Sequence, residues 1–275
     1  MRLFITILAM ASLFTGWTQP TGGPDYFAEG KKAKTDKNYT LAIESFKKAT
    51  AQKADDGEAW YELGWCYNEL AKYADAIKPL ENAKTYWKNQ AKVYYESGYA
   101  YDFAGLIDKA VGDYRQCIEL SSTYSGAYRQ LANIYFDVDK DYKNALKYYS
   151  QYIDYSLESE ISSKTWYKKG FSEMEMDQYE DAIISLKKSV ALDTKYASAY
   201  NELGYAYYIL KKYDEALMEL DKSIKIAESS VPYYYCGLCY IAKNQKAKAQ
   251  EVYKKLTDLN SPDAATLLTK INAMQ

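Results

Sequence analysis

Small residues return along this chain at a nearly constant interval, and that period limits what it can fold into more than any other feature. Gly30, Gly64, Gly98, Ala132, Gly170, Gly204 and Gly237 are separated by 34, 34, 34, 38, 34 and 33 residues. In this frame Trp60-Tyr61-Glu62-Leu63-Gly64-Trp65-Cys66-Tyr67 lies over Tyr200-Asn201-Glu202-Leu203-Gly204-Tyr205-Ala206-Tyr207. A fixed period of this size means one supersecondary unit copied in tandem, each copy packing on its neighbours. Trp60, Leu63, Gly64 and Tyr67 fall at i, i+3, i+4 and i+7, which lines one face of a helix. Glycine inside a helix costs about 1 kcal/mol against alanine, so its return at one place calls for the close approach of a second, antiparallel helix. Ala42, Ala76, Ala110, Ala145, Ala182, Ala216 and Ala249 supply the matching small position on that second helix. With Gly 13 and Pro 5, few positions are set aside for turns of unusual backbone geometry, which favours helices further.

The pattern resembles the tetratricopeptide repeat, in which an aromatic, Leu-Gly and Tyr lie on a first helix and Ala, an aromatic and Ala on a second. Those places are Trp60, Leu63, Gly64, Tyr67, Tyr73, Ala76, Leu80 and Ala83 in the second unit. In the sixth they are Tyr200, Leu203, Gly204, Tyr207, Tyr213, Ala216 and Leu220. The resemblance implies an all-α fold, a right-handed α-solenoid of about seven helix-turn-helix units over residues 25–260. The units are expected near 25–56, 57–90, 91–124, 125–162, 163–196, 197–230 and 231–260. A capping helix over 261–275 is expected to follow, with Ala264, Leu267, Leu268 and Ile271 on one face. Ser261 suits its N-cap. Two departures stand out. The fourth unit carries one extra residue before Tyr142-Lys143-Asn144-Ala145, and Tyr155 to Ser163 lengthens the next connection, so a bend or looser joint is expected there.

Residues 1–18 read as a secretory signal, with Arg2 as the positive start, an apolar run from Leu3 to Phe14, and Gly16-Trp17-Thr18 as a cleavage site before Gln19. Residues 19–24 then form a short linker. The apolar run is too short to span a bilayer comfortably, and no cysteine before Cys66 could carry a lipid. An exported protein, periplasmic or secreted and without stable membrane insertion, is expected. The net charge of −2 shows no basic excess for nucleic acid. The absence of histidine excludes His-based triads, His general bases and the usual zinc sites. No Gly-rich phosphate loop, G-x-S-x-G elbow or EF-hand spacing occurs. These absences, with no appended domain, point away from an enzyme and from cofactors or metals.

Cys236-Gly237-Leu238-Cys239 spells C-x-x-C, but it sits at the framework glycine of a helix, and Cys66 shares the phase of Cys239. Both read as small buried residues. Asp55-Asp56 and Asp214-Glu215 fall where helices begin, where acids satisfy free backbone donors. The resemblance implies instead that the other face of each first helix, away from the framework residues, lines a concave groove. One and five residues after the framework aromatic stand Tyr61 and Trp65, Tyr95 and Tyr99, Arg129 and Asn133, Tyr167 and Phe171, Asn201 and Tyr205, and Tyr234 and Leu238. Some cytoplasmic members clamp the C-terminal carboxylate of chaperones with paired Lys and Asn at groove positions. Here the second and third units carry mainly Tyr and Trp at those places, so that function is not carried over. Arg129, Asn133, Lys164 and Lys168 form the polar stretch suited to acidic groups of a ligand. A cell-envelope scaffold or adaptor is expected, holding a peptide or partner protein in an aromatic-rich groove. The alternatives are polysaccharide binding, or service as an accessory subunit of an envelope enzyme or secretion complex. Self-association through an incompletely capped end is a further expectation.

Overall fold

The computed structural model describes residues 24–274. The expected leader and most of the linker lie outside the described residues. Seven antiparallel helix pairs follow one another: α1 (Tyr26–Thr35) and α2 (Tyr39–Gln52), α3 (Gly57–Glu69) and α4 (Tyr73–Tyr86), α5 (Ala91–Phe103) and α6 (Ile107–Leu120), α7 (Ser125–Ile134) and α8 (Tyr142–Tyr155), α9 (Ser163–Glu175) and α10 (Tyr179–Leu192), α11 (Ala197–Ile209) and α12 (Tyr213–Ile226), α13 (Ser230–Ala242) and α14 (Lys246–Asp258). A final helix, α15 (Asp263–Asn272), closes the array, and no strand occurs among the described residues. Each helix packs on its pair mate, and each second helix packs on the helix that follows it, which is the α-solenoid arrangement.

Local chemistry sets the helix ends. Asp25, Asn38, Asp56, Asp141 and Ser162 each accept a hydrogen bond from the backbone N–H three residues on, at 3.0 to 3.2 Å. That satisfies a donor the first helical turn cannot satisfy itself. In place of Ser261 the N-cap position of α15 is taken by Pro262, though Ser261 Oγ still accepts from the Asp263 N–H at 3.2 Å.

Six of the seven first helices end the same way. After α3, the Lys72 N–H donates to Tyr67 O at 2.9 Å and the Ala71 N–H to Asn68 O at 2.9 Å, with Ala71 at φ 54°. The left-handed residue recurs at Lys37, Gly105, Asp177, Lys211 and Asn244. Left-handed turns are therefore built into every one of these units, and only once is the residue glycine. The small glycine count predicted few such positions, and the structure corrects that reading: a helix that must reverse within three residues needs the geometry whatever the side chain. Ala71 is exposed, and a left-handed alanine costs roughly 1 kcal/mol that glycine avoids. Ala71→Gly is accordingly expected to raise stability by about 1 kcal/mol, less what the freer unfolded chain takes back, measured as a denaturation midpoint.

Glycine brings the helices of a pair together. A Cβ at Gly30 would stand 2.6 Å from the Phe46 ring, one at Gly64 2.5 Å from Leu80, one at Gly98 2.8 Å from Tyr114, and one at Gly204 2.5 Å from Leu220. The opposing alanines, Ala42 through Ala249, are fully buried. At Gly237 the contact changes hands: the side chain against it is Leu267 of α15, at 2.6 Å, and Leu267 and Ile271 are both fully buried. The last helix thus caps the seventh unit by filling the place that second-helix side chains fill elsewhere.

The extra residue of the fourth unit is absorbed in the first helix, not in the loop. Residues Tyr135–Asp139 wind as a π-helical turn, and the Asp141 N–H reaches back six residues to Tyr135 O at 2.9 Å, where the other units reach back five. Such single-turn π segments mark places where a helix has taken in an insertion. The long connection after α8 is no open linker. It holds a 3₁₀ turn at Glu158–Glu160, Tyr152 Oη donates to Glu160 O at 3.1 Å, and Ile161 is buried.

Candidate binding groove on the first helices

The first helices of successive units lie side by side, and α5, α7 and α9 bound a cavity of about 520 Å³. Asp102 and Phe103 close it at the end of α5; Arg129 and Asn133 line it along α7; Asp137 and Val138 enter from the π-helical turn; Lys164 and Lys168 come from the start of α9. The four polar residues singled out in the sequence therefore line one cavity. Asn133 is the hub: its Oδ1 accepts from Tyr149 Oη at 2.8 Å and from Lys168 Nζ at 3.2 Å, and its Nδ2 donates to Gln130 at 3.3 Å. Lys168 Nζ also pairs with Asp137 Oδ2 at 2.6 Å. Lys164 has no ion pair among the described residues, and Arg129 is exposed, its guanidinium 5.7 Å from the Tyr152 ring centroid. One carboxylate is thus neutralised in place, the other, Asp102, is held above its ordinary pKa by burial, and Arg129, which hydrogen-bonds Tyr95, and Lys164 carry charges without an ion pair among the described residues.

Beside it, sharing Arg129, lies a pocket of about 440 Å³ bounded by Asn68, Glu69, Tyr73, Tyr95, Glu96 and Tyr99. Burial pushes the Glu96 carboxyl up to about 7. Glu96 stands outside the groove positions expected from the repeat. Its signal was the recurrence of a carboxylate two residues after the framework aromatic, at Glu62, Glu96 and Glu202. Glu62 is buried against Lys34 at 2.6 Å, and burial also raises the Glu202 carboxyl.

The aromatic groove positions are knitted into the joints between units. Tyr61 packs edge-on against Trp87 at 5.7 Å and is buried, so, contrary to expectation, it leaves no surface for a partner. Tyr95 lies 5.0 Å from Tyr124 and Tyr167 4.9 Å from Tyr196, each pairing with a ring in the connection to the following unit. Lys34 covers the Trp65 ring at 3.7 Å. Phe171 meets Phe136 and Tyr142 at 5.6 Å, and Tyr205 and Tyr234 meet Tyr235 at 4.8 and 5.7 Å. Asn201 Nδ2 donates to Glu202 at 3.3 Å. Apart from Tyr61 these side chains stay half-buried, while Tyr95, Tyr99, Arg129 and Asn133 also line the two pockets.

All four cysteines are free and buried, and burial pushes the Cys236 and Cys239 thiols up to about 12. A thiol so far above neutral is a packing group, not a nucleophile. Among the described residues no helix is long and apolar enough to cross a membrane.

Family models described as tetratricopeptide repeat match residues 27–89, 91–124, 197–230 and 233–263, and one described as TPR repeat matches 170–210. Together they cover more than half of the chain. A TPR repeat-containing protein of Methanocaldococcus jannaschii is 28% identical over 180 residues, covering 64% of this chain and 31% of that protein. Superkiller complex protein 3 of Mus musculus is 24% identical over 210 residues, covering 74% and 13%. The chain spans less than a third of either relative's length. Among solved structures, YrrB, a TPR protein with an unusual peptide-binding site, has a TM-score of 0.62 at 22% identity over 69% of this chain and 96% of its own. The C-terminal part of a TPR repeat-containing protein from Cytophaga hutchinsonii has a TM-score of 0.65 at 22% identity over 88% and 99%. At these identities the likeness shows the fold alone.

Proposed function

The chain belongs to the tetratricopeptide repeat family, and on that premise we propose that it is a non-catalytic scaffold or adaptor of the cell envelope that holds a peptide or partner segment along its first-helix groove. The observation that carries the reading is the cavity between α5, α7 and α9, where Arg129 and Lys164 stand unneutralised beside the Asn133–Lys168–Asp137 network. A network already satisfied within the protein is rigid, so little ordering is lost when a ligand docks against it. Arg129 and Lys164 then offer donors to a carboxylate or to the carbonyls of an extended chain, and Phe103 and Val138 give exposed apolar contact at the rim. The leader pattern at residues 2–18 supports placement in the envelope. Polysaccharide binding would draw on the same aromatics, but Tyr95 already spends part of its ring on Tyr124 and Tyr114, which leaves less face for a sugar.

Reversing both charges, Arg129→Glu with Lys164→Glu, is expected to weaken partner binding at least about tenfold, roughly 1.4 kcal/mol or more, with the wild-type affinity falling as salt rises. Both residues are exposed, so the folded state should be retained. The measurement is affinity for a partner captured from the envelope fraction. Unchanged affinity in the folded double variant sinks the reading. A glycan array that lights up, with no protein captured, moves polysaccharide binding to the front.

A further inference from the structure

The solvent-facing ridge of α10 is built around an exposed isoleucine. Ile184 is 58% exposed at its centre. Glu180 and Asp181 stand four and three residues before it, and Lys187 and Lys188 three and four residues after it. All five are exposed, and these spacings keep them on one face of the helix. The opposite charges cannot meet within α10: Glu180 and Lys187 are separated by roughly 10 Å of rise, beyond the reach of an intrahelical pair. None of the four charged residues makes an ion pair among the described residues. Lys187 rests against the Tyr207 ring at 5.6 Å and Lys188 against the Trp166 ring at 4.1 Å, which holds both in place. No other second helix carries this order. The place of Ile184 is taken by Glu44, Lys78, Gly112, Lys147 and Glu251, and by Met218 in α12. Around Met218 the charges run differently, with Glu215 answered by Asp221 and Lys211 by Lys225.

Acids at the start of a helix and bases at its end suit the helix dipole, so the charges alone have a local explanation. The large aliphatic side chain held in water between them does not. A partner that answers this ridge carries two bases, an aliphatic group and two acids in that order along one face, and α10 read in the opposite direction is such a surface. We propose that the exposed ridge of α10 is an isologous contact between two copies of the chain, their α10 helices antiparallel and the two-fold axis passing at Ile184. Ile184 then packs on itself across the axis, and Glu180 and Asp181 face the second copy's two lysines, an arrangement that symmetry supplies twice. Leu192, 57% exposed at the end of α10, comes to the turn before the other copy's α10, where Met176 is exposed. The same operation on α12 would set Lys211 against Lys225 and Glu215 against Asp221, which singles out α10 as the centre of the contact. One helix against one helix buries little surface, so the dimer is weak, in the micromolar range. No residue of the ridge lines the two first-helix pockets, so the inference goes beyond the groove reading and leaves the groove open in the dimer.

Sedimentation equilibrium of the full chain across the micromolar range is expected to show monomer and dimer, with the Kd rising as salt is added. Ile184→Asp should raise that Kd at least about tenfold, whereas Lys78→Asp, at the same place in the second unit, should leave it unchanged. Both residues are exposed, so the folded state should be retained in each. The sharper arm uses two charge variants: Glu180→Lys with Asp181→Lys makes the ridge wholly basic, and Lys187→Glu with Lys188→Glu makes it wholly acidic. Each alone should self-associate at least about tenfold more weakly than the parent, and an equimolar mixture should recover a heterodimer. Mixing cannot repair a chain that has failed to fold, so recovery separates charge pairing from damage to the helix, and circular dichroism verifies the fold of each variant. A chain that stays monomeric throughout, a dimer indifferent to Ile184→Asp, or folded charge variants that do not pair on mixing overturns the proposal.

Discussion

Replacing Gly204 by alanine is expected to destabilise the protein by about 1–3 kcal/mol, although alanine is the better helix former by about 1 kcal/mol. The added Cβ would lie 2.5 Å from Leu220 Cγ and 2.7 Å from its Cδ2, so α11 and α12 would have to part where the rest of the unit holds them together. Leu220 is fully buried, and Leu220→Ala alone should cost about 2–5 kcal/mol through the cavity it leaves. In the double variant the new methyl occupies part of that cavity. The combined loss should therefore fall short of the sum by at least about 0.5 kcal/mol, beyond the scatter of independent sites. Gly112 in α6 is the control: nothing lies within 4 Å of a Cβ there, and it is exposed, so Gly112→Ala should stabilise by up to about 1 kcal/mol. Denaturant midpoints of the four variants decide the matter. If Gly204→Ala and Gly112→Ala both stabilise, close approach is not what the framework glycine is for.

At pH 8, Glu96→Gln is expected to be more stable than the parent by up to roughly 3 kcal/mol, and at pH 4.5 the advantage should be gone. Burial is the main cause of the raised carboxyl, with Glu69 and Glu62 adding repulsion and the Asn68 hydrogen bond and Lys34 opposing it. The folded pKa of about 7 stands above the unfolded value of 4.5, so the folded state holds this proton more tightly. Between those values the parent gains stability as pH falls; above 7 the penalty of the bare carboxylate is fully present. Glutamine keeps an oxygen to accept from Asn68 Nδ2 and carries no charge at any pH. Chemical denaturation of both proteins at the two pH values measures the difference. A gap of the same size at both would mean that the effect is packing, not ionisation.

The repeat was legible because its signal is steric and local. A glycine that must face a bulky side chain across 3 Å leaves a mark at every copy, and the capping helix shows itself through Leu267 and Ile271 on one face. The insertion in the fourth unit was visible as a count but not as a shape. An extra residue can enlarge a loop or widen a helix, and here the left-handed Lys140 and the cap at Asp141 hold the turn while Tyr135–Asp139 takes up the slack. The cavity owes Asp137 and Val138 to that choice. Helical phase is readable too: Arg129 and Asn133 of α7 and Lys164 and Lys168 of α9 line one cavity. What phase alone does not convey is which rings meet a neighbour: Tyr61 is covered by Trp87, 26 residues away in sequence. Glu96 escaped notice because a single glutamate on a helix reads as a solvated face. Only the packing of α5 on α3, which sets Asn68 against it, half-buries it.

The measurement that bears most directly on the scaffold reading is site-specific photo-crosslinking in the cell of origin, with the reactive group placed in turn at Asn133, in the groove, and at Lys225, on α12 and lining neither pocket. The reading predicts a discrete crosslinked species of defined mass from position 133, absent from position 225 and lost when Arg129 and Lys164 are both glutamate. Equal crosslinking from the two positions, or a species at 133 that survives both charge reversals, would contradict it.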